Sequence, residues 1–371
     1  MHDPACRLAA MGDIMLSRAV GAHFRDRPED FAMEELGALL QNHDVVFANL
    51  ENPVATGGAR HRVQNPHVTF RCHPDAVRVL RTLGITAVSL ANNHMLDYGP
   101  AALAETLETL DAAGIGHAGA GRDYEDANRP LLIEARGMKL ALLAYVFLYS
   151  ASTEMATRTR AGVSDHRIRN ILPRIRELAR NGYCVLVSVH WGIEYSFHPL
   201  PYQMAQARRM IDAGATLIIG HGPHYLQGIE TYGNGRIVYS LGNCVFDEPF
   251  PHANRSFIYS ASIARHGAIA REKIHPFHIR NHVPALVGDR DRARVERFIA
   301  RLGRLYSKRS SAFWQQQNYR YFRDIMWRVS TMKSYKFLRL PPLSFYGAVG
   351  ASTYARKIVQ RVARNVRALV S

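Results

Sequence analysis

An α/β fold, with helices laid over sheets, is what this sequence predicts, and three observations carry the expectation. Up to about residue 250, apolar runs of strand length alternate with segments whose apolar residues recur at three-and-four spacing. Helix-like segments end in glycine and feed directly into the next apolar run. The chain has 371 residues with 47% hydrophobic and 21% charged content, enough to bury a large core.

The elements follow in order. RLAAMGDI (7–14) reads as a strand, and PEDFAMEELGALLQNH (28–43) as an amphipathic helix. DVVFANLE (44–51) is a second strand. HPDAVRVLRTLG (73–84) is a short helix closed by Gly84, leading into the strand ITAVSLAN (85–92). GPAALAETLETLDAAG (99–114) is a helix with Pro100 suited to its first turn. KLALLAYVF (139–147), CVLVSVHWG (184–192) and TLIIGHG (216–222) continue as strands, separated by the helices IRNILPRIRELARNG (168–182) and YQMAQARRMIDAG (202–214). YLQGIETYGNGRIVYSLGN (225–243) reads as a hairpin turning at Gly233-Asn234-Gly235.

Past about residue 285 the character changes, which divides the chain into a body (1–285) and a basic, mostly helical extension (286–371). The formal net charge of +16 sits there: residues 286–371 hold nineteen Lys/Arg against four Asp/Glu, while the body is close to neutral. The extension ends in STYARKIVQRVARNVRALVS (352–371). Ala355, Ile358, Val359, Val362, Ala363, Val366 and Val370 fall on one helical face, and Arg356, Lys357, Arg361, Arg364 and Arg367 lie mostly off it. Such a helix fits an anionic membrane surface, and nucleic acid ranks below lipid as its partner. The opening residues lack the apolar stretch of a secretory signal, and the longest apolar run, LALLAYVFLY, is about half a membrane span. The expected location is therefore cytoplasmic, peripheral at the inner face of the membrane. Four cysteines without CxxC spacing read as buried small hydrophobes in a reducing compartment. Serine-hydrolase, P-loop and zincin signatures (GxSxG, GxxxxGK[ST], HExxH) are absent.

Five apolar runs end in groups that do little for a core. These are Asp13; Asn49 and Glu51; Asn92, Asn93 and His94; His190 with Glu194 shortly after; and His221 with His224. If the strands run the same way, all five converge on one sheet edge, where open α/β sheets place their ligands. Imidazole with carboxylate and amide oxygen suits one or two divalent ions of the Mn, Fe or Zn type. Such ions clamp a phosphoryl group and activate water near neutral pH. A histidine outside the coordination shell contributes by protonating the leaving oxygen.

The stretches GDIMLSR, ANLENPV, LANNHMLDYG, GAGRD, VSVHWGIEY, IDAGATLIIGHGPHYLQGIE and YSLGNCVFD stand in this order between residue 7 and about 247. Together they resemble the capsule-synthesis CapA family, also called the poly-γ-glutamate synthesis protein family. That family is similar to the calcineurin-like metallophosphoesterases. The resemblance implies a four-layer α/β/β/α sandwich with a metal site at the carboxyl edge of its sheets. It implies Asp13, Glu51, Asn93, His190, His221 and His224 as metal ligands, with Glu51 as the bridging carboxylate and His94 as general acid; Glu194 joins His94 as a catalytic candidate. Arg71, His73, Tyr195 and Asn243 are the substrate-contact candidates. The implied function is phosphoesterase-type chemistry in making capsule, poly-γ-glutamate or another envelope polymer. Its partners would be an anionic polymer or phosphate-containing substrate and polymer synthase subunits.

Two positions depart from the pattern. Met15 stands where the phosphoesterases have a histidine after Asp13-Ile14, which leaves one ion or two open. Gly222 stands in the middle of a block that commonly reads Gly-His-His-Pro-His; if that central imidazole is the family's ligand, this chain binds metal poorly. Many members also carry an N-terminal anchor, which the opening residues here do not lead one to expect. A non-catalytic assembly or polyanion-binding factor is the alternative, and a nucleic-acid phosphoesterase ranks third.

Overall fold

A computed structural model describes residues 5–62, 68–147, 153–265 and 267–306. The predicted C-terminal amphipathic helix lies outside the described residues.

The chain opens with β1 (Ala5–Ile14), α1 (Arg18–Asp26), α2 (Glu34–Leu40), β2 (Val45–Leu50), α3 (Val77–Thr82), β3 (Ala87–Ser89), α4 (Gly99–Ala112) and β4 (Gly116–Ala118). A small pair, β5 (Ala120–Gly121) and later β8 (Gly162–Val163), brackets α5 (Tyr124–Asn128), β6 (Leu131–Ala135) and β7 (Met138–Val146). Then come α6 (Ile168–Arg180), β9 (Cys184–His190), α7 (Pro201–Asp212), β10 (Ala215–His221), β11 (Ile229–Tyr232) and β12 (Gly235–Val238). The last elements are β13 (Asn243–Val245), β14 (Arg255–Ala264), β15 (Ile269–Arg280), β16 (Val283–Leu286) and α8 (Asp289–Tyr306).

Two sheets form. The first runs β16-β15-β14-β1-β2-β3-β4, with β13 also pairing β1; the second runs β11-β12-β10-β9-β7-β6. Strands β1 to β4 are mutually parallel, as are β7, β9, β10 and β12.

Alternation along the strands explains why the sheets stack. In β9, Cys184 and Leu186 enter the core between the sheets, while Val185, Val187 and Val189 face α6 and α7. In β1, Cys6, Leu8 and Ala10 join that inner core, and Ala9 and Met11 pack beneath the helices of the first sheet. Strands covered on both faces read as unbroken apolar runs, which is why the sequence marked them so clearly. The result is the α/β/β/α sandwich.

Several expectations change in detail. The helix expected over 28–43 divides into a 3₁₀ turn, Pro28–Phe31, and α2, because Met33 takes a left-handed conformation (φ 47°) between them. The break lets Phe31, Leu36 and Leu40 all reach the core. The strand expected over 85–92 shortens to β3, and Leu90 to Asn93 leave the sheet. The hairpin holds, with Tyr232 opposite Gly235 across a turn at Gly233 (φ 52°). Strands β14 to β16 were not anticipated. Beyond residue 285, α8 lies on β11 and β15 with Ile299, Leu302 and Tyr306 buried. Gly303 makes that seat possible, since a Cβ there would stand 2.2 Å from the Ile229 carbonyl oxygen.

Candidate metal centre

Asp13 is fully buried at the end of β1. A Cβ on its neighbour Gly12 would lie 1.9 Å from the Gly242 carbonyl oxygen. Only glycine therefore lets the turn into β13 press against β1, where the Asp13 amide donates to Gly242 at 3.0 Å. Glu51 follows β2 and is also buried. Between the two carboxylates stands Asn49. Its amide donates to Asp13 Oδ1 at 2.9 Å, reaches Glu51 Oε2 at 3.5 Å and lies 3.4 Å from His190 Nδ1. The Asn49 oxygen accepts from Asn92 at 3.2 Å, which fixes the orientation of that amide.

The second sheet approaches from the other side. His221 Nδ1 lies 3.2 Å from Asp13 Oδ1, and His224 Nδ1 lies 3.5 Å from Asp13 Oδ2. His224 Nδ1 is also 2.8 Å from Asn243 Oδ1; donating its proton there leaves Nε2, 3.8 Å from Glu51 Oε1, as the available nitrogen. His190 Nε2 is 4.0 Å from the same Glu51 oxygen. Asp13, Glu51 and His224 each offer a ligand atom, and these atoms lie within 4.8 Å of one another. Buried His190 Nε2 and His221 Nε2 have no hydrogen-bond partner among the described residues. Two carboxylates and three imidazoles, with nitrogens left unsatisfied, fit a borderline divalent cation.

The electrostatics agree. Burial raises the Glu51 carboxyl well above its ordinary range, and the neighbouring Asp13 and Glu194 carboxylates push it further. Burial also penalises the Asp13 carboxylate, but the surrounding His221, His190 and His224 more than offset it and hold Asp13 below the usual range. Burial lowers His190 to about 3, so its imidazole is neutral, the form that ligates. A cation would compensate what burial costs Glu51.

His94 sits beside this cluster with Nε2 4.0 Å from Glu51 Oε1. Its Nδ1 faces Asp97 Oδ2 at 2.8 Å, and Phe70 stacks on its ring at 4.1 Å. Arg18 lies over the far side of Phe70, 4.6 Å from its centroid, and pairs with Asp247. Tyr195, at φ 61°, donates to Glu248 Oε2 at 3.0 Å and stands 5.7 Å from the His224 ring.

The remaining sequence candidates are placed as follows. Asn93 is buried in the loop after β3, where its carbonyl accepts from Thr153 at 3.4 Å. Glu194 is exposed on the loop after β9. Asn243 orients His224. Arg71 is not brought to the cluster: it donates to the Thr56 and Gly57 carbonyls and stacks on Tyr98 at 4.2 Å. His73 is exposed and caps the short 3₁₀ turn Pro74–Ala76. Met15 is buried, with Sδ accepting from Ser17 at 3.1 Å. Gly222 has φ 101°, and a Cβ on it would lie 3.1 Å from the His190 ring.

Reading the sequence alone placed Asn49 among the strand-end polar groups without giving it a role, and did not single out Asp97, Arg18 or Glu248 as site residues. Asn49 and Asp97 carried a signal, two positions before Glu51 and three after His94. Arg18 closes the GDIMLSR stretch without being given a role there and Glu248 carried no signal, because the fold alone brings the two together, 3.9 Å apart.

The profile of the family described as "Bacterial capsule synthesis protein PGA_cap" matches residues 7–248. The capsule biosynthesis protein CapA of Bacillus anthracis is 29% identical over 323 residues, covering 85% of this chain and 78% of that protein. The PGA biosynthesis protein CapA of Bacillus subtilis (strain 168) is 30% identical over 286 residues, covering 77% and 74%. Among solved structures, the NAD nucleotidase of Haemophilus influenzae superposes with a TM-score of 0.43 at 11% identity, over 79% of this chain and 62% of that one.

Proposed function

Because the chain belongs to the bacterial capsule synthesis protein PGA_cap family, we propose that it performs metal-dependent phosphoesterase-type chemistry in making capsule, poly-γ-glutamate or a related envelope polymer. The observation that carries this reading is the buried Asp13–Glu51–His224 cluster with His94 poised beside it.

Asp13, Glu51, His190, His221 and His224, with Asn93 from the adjacent loop, would hold a divalent ion of the Mn, Fe or Zn type. Bound there, such an ion polarises a phosphoryl oxygen and makes water acidic enough to attack near neutral pH. Asp97 Oδ2 accepts a hydrogen bond from His94 Nδ1–H, so the Nε2 face turns toward the reacting group. From there the doubly protonated ring would give its Nε2 proton to a leaving oxygen and be left as the neutral Nδ1–H tautomer. Phe70 and Arg18 stack behind that ring and hold its plane. Tyr195 stands beside His224 as the substrate contact; Arg71 and His73 have local roles that this reading does not use. Glu194 marks the exposed rim. The substrate class is an anionic, phosphate-containing intermediate of polymer synthesis, with synthase subunits as partners. A peripheral contact at the inner face of the membrane falls to the basic C-terminal segment, residues 352–371. No described helix is long and apolar enough to cross a membrane.

The test pairs elemental analysis with turnover of aryl phosphate mono- and diesters. Wild type and His94→Ala should both carry metal, and Asp13→Ala should not. Turnover of His94→Ala should fall by about 10²–10⁴-fold. Metal retained in His94→Ala with undiminished turnover would remove the proton-donor role.

The buried Met15 thioether, which accepts from the Ser17 amide where the resemblance expects a histidine, favours a second reading. In it the same pocket holds a polyanion for a synthase without cleaving it. Metal present with no hydrolysis of either ester would favour this reading.

A further inference from the structure

The exposed face of α8 carries Arg290, Arg294, Arg297, Arg301 and Arg304, at steps of four, three, four and three residues. At 3.6 residues per turn those steps keep all five within an arc of about 80° along a length of about 21 Å. The acidic residues of α8, Asp289, Asp291 and Glu296, fall outside that arc, and Asp289 pairs with Arg292 at 3.3 Å. Among the described residues, no ion pair joins Arg290, Arg294, Arg297 or Arg301 to an acid. A helix face that is merely solvated ordinarily interleaves the two signs at i and i+4; this one presents a single sign in file.

The opposite face of α8 is already occupied. Ile299, Leu302 and Tyr306 are buried, Phe298 meets Phe197 edge-on at 5.5 Å, and the Tyr306 hydroxyl accepts from the Gly228 amide at 2.8 Å. The helix therefore has no apolar stripe left to insert anywhere, and a partner meets guanidinium groups on a rigid rod. The cavities at Tyr124 and Arg174, at His23 and His282, and at Pro173 and Arg180 contain no residue of α8. A row of exposed guanidinium groups about 21 Å long on the outer side of a helix suits an extended anionic surface better than a small ligand. Beyond α8, residues 307–371 add thirteen Lys/Arg against a single acid, so the charge is continued rather than compensated.

We propose that α8 is a docking face for an anionic lipid bilayer, held by its row of arginines. The contact stands on residues 290–304 and is independent of the one assigned above to residues 352–371. It also orients the metal centre, because Phe298 braces Phe197, two residues from Tyr195 in the wall of that centre.

Full-length protein is sedimented with vesicles of phosphatidylcholine alone or mixed with phosphatidylglycerol. Binding should require the anionic lipid and weaken with salt. Each arginine at such a surface is worth about fivefold in affinity, so changing Arg290, Arg294, Arg297 and Arg301 together to glutamine should cost well over tenfold. The paired variants Arg290→Gln/Arg294→Gln and Arg297→Gln/Arg301→Gln should each lose at least about fivefold, with unchanged melting temperatures. Arg292→Gln, off the row, should bind as wild type. Undiminished binding by the fourfold variant overturns the proposal, as does equal binding to phosphatidylcholine alone. Tighter binding of double-stranded DNA or soluble polyglutamate at the same salt, lost in the same variant, overturns it in favour of a soluble polyanion. If glutamine at Arg356, Lys357, Arg361, Arg364 and Arg367 abolishes binding while the α8 variants do not, the contact at the chain's end survives and this one falls.

Discussion

The two sheets bring different chemistry to one place. The first delivers both buried carboxylates, Asp13 and Glu51, together with the proton carrier His94. The second delivers imidazoles, from His190, His221 and His224, one of them pushed by burial so far down that it stays neutral. One sheet thus supplies the charge that a cation would neutralise, and the other supplies neutral nitrogens that shape its coordination. This difference teaches that metal affinity and metal geometry rest on separate halves of the sandwich, joined at their carboxyl edges through Asp13–His221 and Glu51–His224.

Substitutions can break or sharpen that division. Asp13→Ala should weaken Mn²⁺ binding most, by about 10²–10⁴-fold, the equivalent of deleting one member of a buried charge pair. Calorimetric titration measures it. His190→Ala removes a neutral group and should cost nearer 10–100-fold; a larger loss than for Asp13→Ala would end the proposed division. Asp97→Asn leaves the ligands untouched, so bound metal should be unchanged while turnover drops by about 10–100-fold. A fall in metal content instead would place Asp97 in the wrong role. Asn243→Ala should weaken metal affinity up to about tenfold by freeing the His224 ring, without altering the turnover of metal-saturated protein. The smallest effect is on pH. Glu51 is raised, so in the metal-free site it keeps its proton to a higher pH than an ordinary carboxyl. Loading must displace that proton, so affinity should rise with pH and binding should release protons. Titrations in two buffers of different ionisation enthalpy read the release; identical heats would mean Glu51 is already ionised.

The strands with both faces covered were legible because burial on two sides leaves continuous apolar runs, as in CVLVSVH and TLIIGH. The polar residues at their ends were legible for the complementary reason, since Asn49, Asn93, His94 and His190 interrupt those runs where a core would not want them. What escaped notice depends on tertiary packing. β14 is buried from Ser256 to Ala261 but mixes serines and a tyrosine into that stretch, and β15 is exposed from Ala270 to Lys273, so RSFIYSASIA and IAREKIHPFHIR lack an apolar run to see. Arg18 and Asp247 are separated by 229 positions and meet only after both sheets have formed. The break at Met33 reflects the need to bury Phe31 and Leu36 together, a demand that helical spacing in the sequence does not register.

The hydrogen bonds around Asn49 carry one more consequence. Its amide accepts from Asn92, donates to Asp13 and reaches Glu51 and His190, so these residues are held together by contacts made within the protein. The cage is therefore built before its ion arrives. Stripping with a chelator should silence the protein yet leave its far-ultraviolet spectrum and its cooperative melt intact, and adding the ion back should restore function without any refolding delay.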